Sequence, residues 1–251
     1  MVLTRDTLME ALRGALEAQP WVQAAWVGGS DAFGRADALS DVDLQVLVEP
    51  EDGDRCFALV EGLIDSLGGA SAVWRVPEPA WHGHRQRFYQ LHALPETAMV
   101  DLCVMRRDRL GPFLDPARHG QPVIWFDRLG AVVPTPDPDL GPVFDRRLEQ
   151  LVARARLLAH IPGKALRRGR PIEAVDALHR FILHPLVELL RRRYSPQRQD
   201  FGLRYLPEDL PAEVVARLEP LLFTADASAL EGAIGAARAW LEDEVDAVAA
   251  E

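Results

Sequence analysis

One segment constrains this chain more than any other: Gly28-Gly29-Ser30-Asp31-Ala32-Phe33-Gly34-Arg35-Ala36-Asp37-Ala38-Leu39-Ser40-Asp41-Val42-Asp43-Leu44. It follows an apolar run, Trp21 to Val27, that reads as a β-strand. It leads into Asp41 to Val48, which reads as a second strand, alternating at first and apolar later. Between Ser30 and Asp41 lie ten residues. Glycine lets a backbone approach a phosphate closely, and the N–H groups of such a turn, with the Ser30 hydroxyl, can donate to it. Asp41 and Asp43 are two apart, which on a strand puts both carboxylates on one face. Two hard oxygen ligands beside a phosphate cradle suit Mg²⁺, which prefers carboxylates, water and substrate phosphates to a closed protein cage.

A third acid, Asp101, stands inside Ala98-Met99-Val100-Asp101-Leu102-Cys103-Val104-Met105, a run expected to be a buried strand. A carboxylate there is costly unless it is paired or bound to metal. If this strand lies beside the one carrying Asp41 and Asp43, three carboxylates converge. Such a site can hold two metal ions and clamp the attacking and leaving oxygens of an in-line phosphoryl displacement. The bland alternatives are a tight turn with solvated acids, and an Asp101 that only caps a neighbouring helix.

Around this segment the pattern is mixed. Thr4 followed by Leu8, Leu12 and Leu16 predicts a capped amphipathic helix ending near Pro20. A helix is expected over 51–67, with Phe57, Val60, Leu63, Ile64 and Leu67 on one face, and further strands over Ser71–Val76 and Arg87–Leu94. Residues 134–142 are proline-rich and read as a linker. Beyond it the periodicity is helical: one helix carries Leu148, Leu151, Val152, Ala155, Leu158 and Ala159 on a face. Another opens at Pro171 and runs through Val175, Leu178, Ile182, Leu186 and Leu190, with Pro185 expected to kink or split it. Two more fit 211–222 and 226–249. The expected fold class is α/β (α+β): a mixed-sheet domain over 1–133, then an all-helical bundle over 143–251.

The elements Gly29-Ser30-x-Ala32-x-Gly34 and Ser40-Asp41-x-Asp43-Leu44, with a later strand aspartate, resemble the DNA polymerase beta-like nucleotidyltransferase superfamily. They are similar in particular to its bacterial small-molecule branch, which includes the aminoglycoside nucleotidyltransferases. That resemblance implies a catalytic domain followed by a helical substrate-binding domain, and transfer of a nucleoside monophosphate from an NTP, by family habit ATP, to an acceptor hydroxyl with release of pyrophosphate. It assigns Gly29, Ser30 and Ser40 to the nucleotide, and Asp41 and Asp43 to Mg²⁺. Asp101 it assigns to a second ion or to deprotonation of the acceptor. Phe33 and Arg35 depart from many drug-modifying members, so antibiotic specificity is not carried over. Two other classes stand beside it: a non-catalytic antitoxin-like interaction protein, and an RNA-directed nucleotidyltransferase.

Charge bears on the partner. The chain carries 28 basic and 38 acidic side chains, a net of -10, which disfavours non-specific nucleic-acid binding. Residues 146–204 run against this, with 14 basic and 5 acidic side chains, and such a segment can face one polyanion such as a nucleoside triphosphate. Within or beside it Arg198, Arg204 and Tyr205 are candidate substrate contacts, while Arg191-Arg192-Arg193 fan around a helix end. Glu173 and Glu188 are weighed as a base for the acceptor against a solvated helix face. His82-Gly83-His84 reads as a surface loop, and His179 and His184 as not sharing a face. Trp74 and Trp81 read as core or domain-interface aromatics. Cys56 and Cys103 are too few for a disulfide framework. No apolar run approaches a membrane span and no signal peptide is visible, so a cytoplasmic enzyme is expected, with a homodimer as a family habit.

Overall fold

Helix α1 (Arg5–Glu17) begins with a reciprocal cap: the Thr4 hydroxyl accepts from the Thr7 N–H at 3.3 Å, and the Thr7 hydroxyl accepts from the Thr4 N–H at 2.9 Å. Leu8, Leu12 and Leu16, spaced by four, are fully buried along one stripe. The computed structural model describes residues 3–80, 82–96, 98–135 and 141–249. The chain divides into two compact units, Met1–Pro138 and Asp139–Glu251. Most of the expected proline-rich linker (136–140) and Trp81 lie outside the described residues.

In the first unit α1 is followed by β1 (Ala24–Val27), α2 (Gly29–Ala32), β2 (Val42–Leu47), α3 (Gly53–Ser66), β3 (Ala70–Arg75), β4 (Arg85–Leu91), β5 (Met99–Met105), α4 (Pro116–His119) and β6 (Val123–Asp127). Among the described residues the six strands form one sheet in the order β3-β4-β5-β2-β1-β6. Strands β2 and β5 pair in parallel and the other pairs are antiparallel, so the sheet is mixed. Alternation decides which face is which. Val42, Leu44 and Val46 of β2, with Val100, Leu102 and Val104 of β5, pack against α1 and α3 through Leu8, Leu12, Phe57, Val60 and Ile64. Asp43 and Gln45, with Asp101 and Cys103, take the opposite face, where Ala24, Trp26, Leu47 and Met105 form a second apolar cluster further along.

Several expectations need correction here. Strand β1 starts at Ala24 rather than Trp21, because α1 ends in a turn in which the Val22 N–H donates to the Gln19 carbonyl. Strand β6 was not expected at all; it adds to β1 at the sheet edge, with a bulge between Ala25 and Trp26. Trp74 is not a core residue: it is 60% exposed on the edge strand β3, stacked on Phe88 with centroids 5.0 Å apart. His84 does not lie on the surface either. It is 1% exposed, and its Nδ1 accepts from the Arg106 N–H at 3.0 Å.

The second unit is helical: α5 (Gly141–Leu158), α6 (Ile161–Arg167), α7 (Pro171–Leu178), α8 (His184–Tyr194), α9 (Leu206–Asp209), α10 (Ala212–Leu222) and α11 (Ala227–Ala249). Its core is built from Leu151, Ala174, Leu178, Ile182, Leu186, Leu190, Leu218, Leu230, Ala237, Trp240 and Leu241. Val175 falls outside that stripe and is 37% exposed. At Pro185 the helix is not split: the chain stays helical from 171 to 194, with Pro185 in the first turn of α8 and His179–Leu183 forming a π-helical segment before it. There the His184 N–H donates to the His179 carbonyl, five residues back, so these two histidines are neighbours, contrary to expectation. Burial, and His184 after it, hold the His179 imidazole below its ordinary pKa. Among the described residues no helix is long and apolar enough to cross a membrane.

Candidate active site

At the end of β1 the Gly28 N–H donates to the Asp43 carbonyl at 2.9 Å, so the turn is laid directly on β2. Gly29 follows with φ +54°, a left-handed conformation that favours glycine. A Cβ on Gly29 would stand 1.8 Å from Asp43 Oδ2, so only a glycine lets this turn and that carboxylate coexist. Ser30 is the second residue of the single-turn helix α2, and its Oγ is buried with no hydrogen-bond partner among the described residues. A buried hydroxyl left unmatched is costly, which makes Ser30 a ready donor to a ligand that arrives there.

The register of β2 against β5 sets Asp43 directly opposite Asp101. Burial first, then the neighbouring Asp41 and Asp31, push the Asp43 carboxyl up to about 6, with Arg5 opposing. Burial also leads at Asp101, which is pushed up to about 7; Gln86 opposes by donating to its Oδ1 at 2.7 Å, and Asp43 and Asp41 add repulsion. Asp41 differs from this pair. It precedes β2 rather than lying on it, and its Oδ1 accepts from the Met99 N–H at 2.9 Å, which ties the start of β5 to the start of β2.

Arg5 holds the approach to β2. Its guanidinium is ion-paired with Asp31 and donates to the carbonyls of Ser40, at 3.1 Å, and Asp41, at 3.0 Å. The Ser40 hydroxyl closes a turn with Asp37, donating to its Oδ1 at 3.1 Å and accepting from its N–H at 2.9 Å. Ser40 therefore shapes the loop before β2, with its side chain engaged inside that turn.

Among the described residues no three His, Cys, Asp or Glu side chains stand in an arrangement that would hold a metal ion. The donor set nevertheless fits a hard divalent cation. Two half-buried carboxylates face each other across paired strands with raised pKa values, a third lies beside them, and the residue after Gly29, which abuts Asp43, carries an unmatched hydroxyl. A cation placed there would favour the ionised form of both carboxylates, against the burial and the smaller mutual repulsion that raise their pKa values.

Reading the sequence missed three members of this neighbourhood: Arg5, Gln45 and Gln86. Gln45 shares the face of Asp43, lies against Gly28, and has a buried Oε1 with no partner among the described residues. The available signal was parity: Asp43 and Gln45 are two polar residues on one face of an otherwise apolar strand.

The other candidates belong to the helical unit. Arg198 is 5% exposed and pairs with Asp209, which also takes Arg191, itself wholly buried. Arg191 further donates to the carbonyls of Gly202, at 2.8 Å, and Arg204. The two arginines thus fix the segment after α8 from inside, and Arg198, expected to contact substrate, has its guanidinium taken up by Asp209. Arg204 and Tyr205 are exposed, and Tyr205 sits at φ +57°. Of the acids weighed as a base, Glu188 pairs with Arg147 and Glu173 with Arg170.

The solved structure of an aminoglycoside 6-adenyltransferase from Bacillus subtilis is similar to this chain at 10% sequence identity and a TM-score of 0.42, over 96% of this chain and 88% of its own. No protein-family model matches the sequence, and no curated protein does.

Proposed function

We propose that this protein is a Mg²⁺-dependent nucleotidyltransferase that moves a nucleoside monophosphate from an NTP, ATP by default, to a hydroxyl of a small-molecule acceptor, releasing pyrophosphate. One observation carries the reading: the half-buried carboxylates of Asp43 and Asp101 oppose each other across paired strands, and Asp43 abuts a glycine-serine turn whose serine hydroxyl has no partner among the described residues. Asp41, Asp43 and Asp101 would hold the metal, which supplies charge neutralisation for the triphosphate and lowers the pKa of the acceptor hydroxyl.

The chain's own groups then have distinct tasks. Gly29 leaves room for a phosphate beside Asp43, and Ser30 Oγ donates to a phosphate oxygen. Asp101, a carboxylate beside the metal, would take the proton from the acceptor hydroxyl. The acceptor oxygen forms its bond to the α-phosphorus, the bond from that phosphorus to the bridging oxygen breaks, and pyrophosphate leaves with the electron pair. The rest of catalysis is orientation and electrostatics, as phosphoryl chemistry requires. We assign acceptor recognition in part to the helical unit, where Arg204 and Tyr205 remain candidates and Arg198 does not.

The test needs no knowledge of the acceptor. Thermal unfolding is followed with each of the four NTPs, with and without Mg²⁺, in wild type and in Asp41→Asn/Asp43→Asn. A ligand at about 100 times its dissociation constant adds roughly 2.7 kcal/mol, a shift of several degrees. The expected result is a Mg²⁺-dependent shift with one or more NTPs that the double variant loses. Equal shifts in both proteins, or none in either, would overturn the assignment.

A further inference from the structure

The His82-Gly83-His84 loop is joined to the candidate site by an ordered chain of hydrogen bonds. The His84 backbone N–H donates to His82 Nδ1 at 3.1 Å. A nitrogen that accepts carries no proton, so in the neutral imidazole the proton sits on Nε2. Nε2 lies 3.1 Å from Gln86 Oε1 and therefore donates to it. That contact fixes which way the Gln86 amide points: its oxygen faces the histidine and its NH₂ faces the sheet. Gln86 Nε2 then donates to Asp101 Oδ1 at 2.7 Å. Once the first backbone N–H is in place, each later link has one direction.

The histidine end of the chain is held firmly. The His82 ring stacks on His84 with centroids 5.6 Å apart and meets the edge of Phe113 at 6.1 Å. His84 is buried and tied by its Nδ1 to the N–H of Arg106, the residue that follows β5. The loop is thus anchored to the strand that carries Asp101. Gln86 comes from the neighbouring strand β4, opposite Cys103 and diagonal to Asp101, within reach of a long side chain. The Asp101 Oδ2 accepts no hydrogen bond from the described residues.

We propose that His82 and Gln86 are positioning residues for Asp101: they hold Oδ1 and turn Oδ2 toward the metal-nucleotide site. The proposal rests on the reading of Asp101 given under Proposed function. The His82–Gln86 pair acts from outside the ligand set, as groups that orient metal-binding side chains commonly do, and loss of such a group weakens metal binding by about 10–100-fold.

The test uses the full-length protein and Mn²⁺ alone as the probe, with binding read by electron paramagnetic resonance. The variants are Gln86→Met, which keeps the side-chain length and removes the amide; His82→Phe, which keeps a ring for the stack; the double variant; and Asp101→Asn. Melting temperatures check that each is folded, and His82→Phe tests the relay without altering the residue that touches Asp101. The expected result is Mn²⁺ affinity lowered about tenfold in Gln86→Met, severalfold in His82→Phe, and no further in the double variant than in Gln86→Met. If Asp101→Asn loses Mn²⁺ while folded Gln86→Met and His82→Phe bind as wild type does, the relay is overturned and the site stands. If wild type binds no Mn²⁺, or Asp101→Asn binds it equally well, the site assignment fails and the relay with it.

Discussion

Gly29 and Gly34 share a backbone conformation but not a neighbourhood, and alanine at each separates two effects. Their φ values are +54° and +64°, so a side chain at either position meets the left-handed penalty of about 1–2 kcal/mol. Around Gly34 a Cβ finds nothing within 4 Å. On Gly29 it would stand 1.8 Å from Asp43 Oδ2, where 3.0 Å is the closest approach that real Cβ atoms show, so roughly 1.2 Å has to be opened. Asp43 is a short side chain on a strand paired on both sides, so either its carboxylate swings or the turn lifts off β2. A displacement of about 1 Å at a reacting centre costs on the order of 100-fold in rate. Gly34→Ala is expected to lower the melting temperature by a few degrees and leave Mg²⁺-NTP stabilisation and turnover near wild type. Gly29→Ala is expected to lose at least as much stability, and in addition about 100-fold in kcat/KM and most of the nucleotide-dependent shift. The assays are differential scanning calorimetry with and without Mg²⁺-NTP, and pyrophosphate release once an acceptor is in hand. Equal nucleotide response in the two variants would refute the claim that Gly29 is required by its contact with Asp43.

Three further outcomes follow from the same geometry. Ser30→Ala removes a buried hydroxyl that has no partner among the described residues, so stability should hold or rise by up to about 1 kcal/mol while nucleotide stabilisation falls; a clear loss of stability without nucleotide contradicts this. In EDTA the protein should lose stability as pH rises from about 4 to about 7, because folded Asp43 and Asp101 bind their protons more tightly than the unfolded chain does. Asp101→Asn should flatten part of that fall and exceed wild type in stability at pH 8; identical pH curves would count against the coupled pair. Asp209→Ala leaves Arg191 and Arg198 buried without their carboxylate, and unfolding of the helical unit should become easier by about 3–5 kcal/mol, as read by denaturant titration; a change under about 1 kcal/mol would show that the pairs are dispensable.

Much of the fold was legible because local chemistry and tertiary role agree. The spacing of Leu8, Leu12 and Leu16 behind Thr4 gave α1, and the alternation in 41–48 separated Val42, Leu44 and Val46 from Asp43 and Gln45. The rest depended on partners distant in sequence. Nothing near Arg198 announces that Asp209 will bury it, and Trp74 becomes an edge-strand residue only because no strand pairs beyond β3 among the described residues. The strand β6 was present as Val123-Ile124-Trp125-Phe126, a short apolar run whose pairing with β1 crosses nearly a hundred residues and leaves no local mark. At the candidate site the glycine-serine turn and the aspartate spacing were visible, since they are local. The opposition of Asp43 and Asp101 was conditional on strand order, and the Gln86–Asp101 contact arises from a diagonal between two strands. Sequence also set Asp41 and Asp43 as equals on one strand, whereas Asp41 precedes β2 and is bonded to the Met99 N–H.

The central claim is that Asp43 and Asp101 hold a divalent metal against a triphosphate lying on Gly29 and Ser30. Anomalous diffraction from crystals grown with Mn²⁺ and a non-hydrolysable NTP addresses it most directly. The account predicts manganese peaks bonded to carboxylate oxygens of both aspartates at about 2.0–2.2 Å, with a phosphate oxygen within hydrogen-bond reach of Ser30 Oγ. Manganese and nucleotide bound elsewhere on the protein, or a nucleotide seated without metal between these two carboxylates, would contradict it.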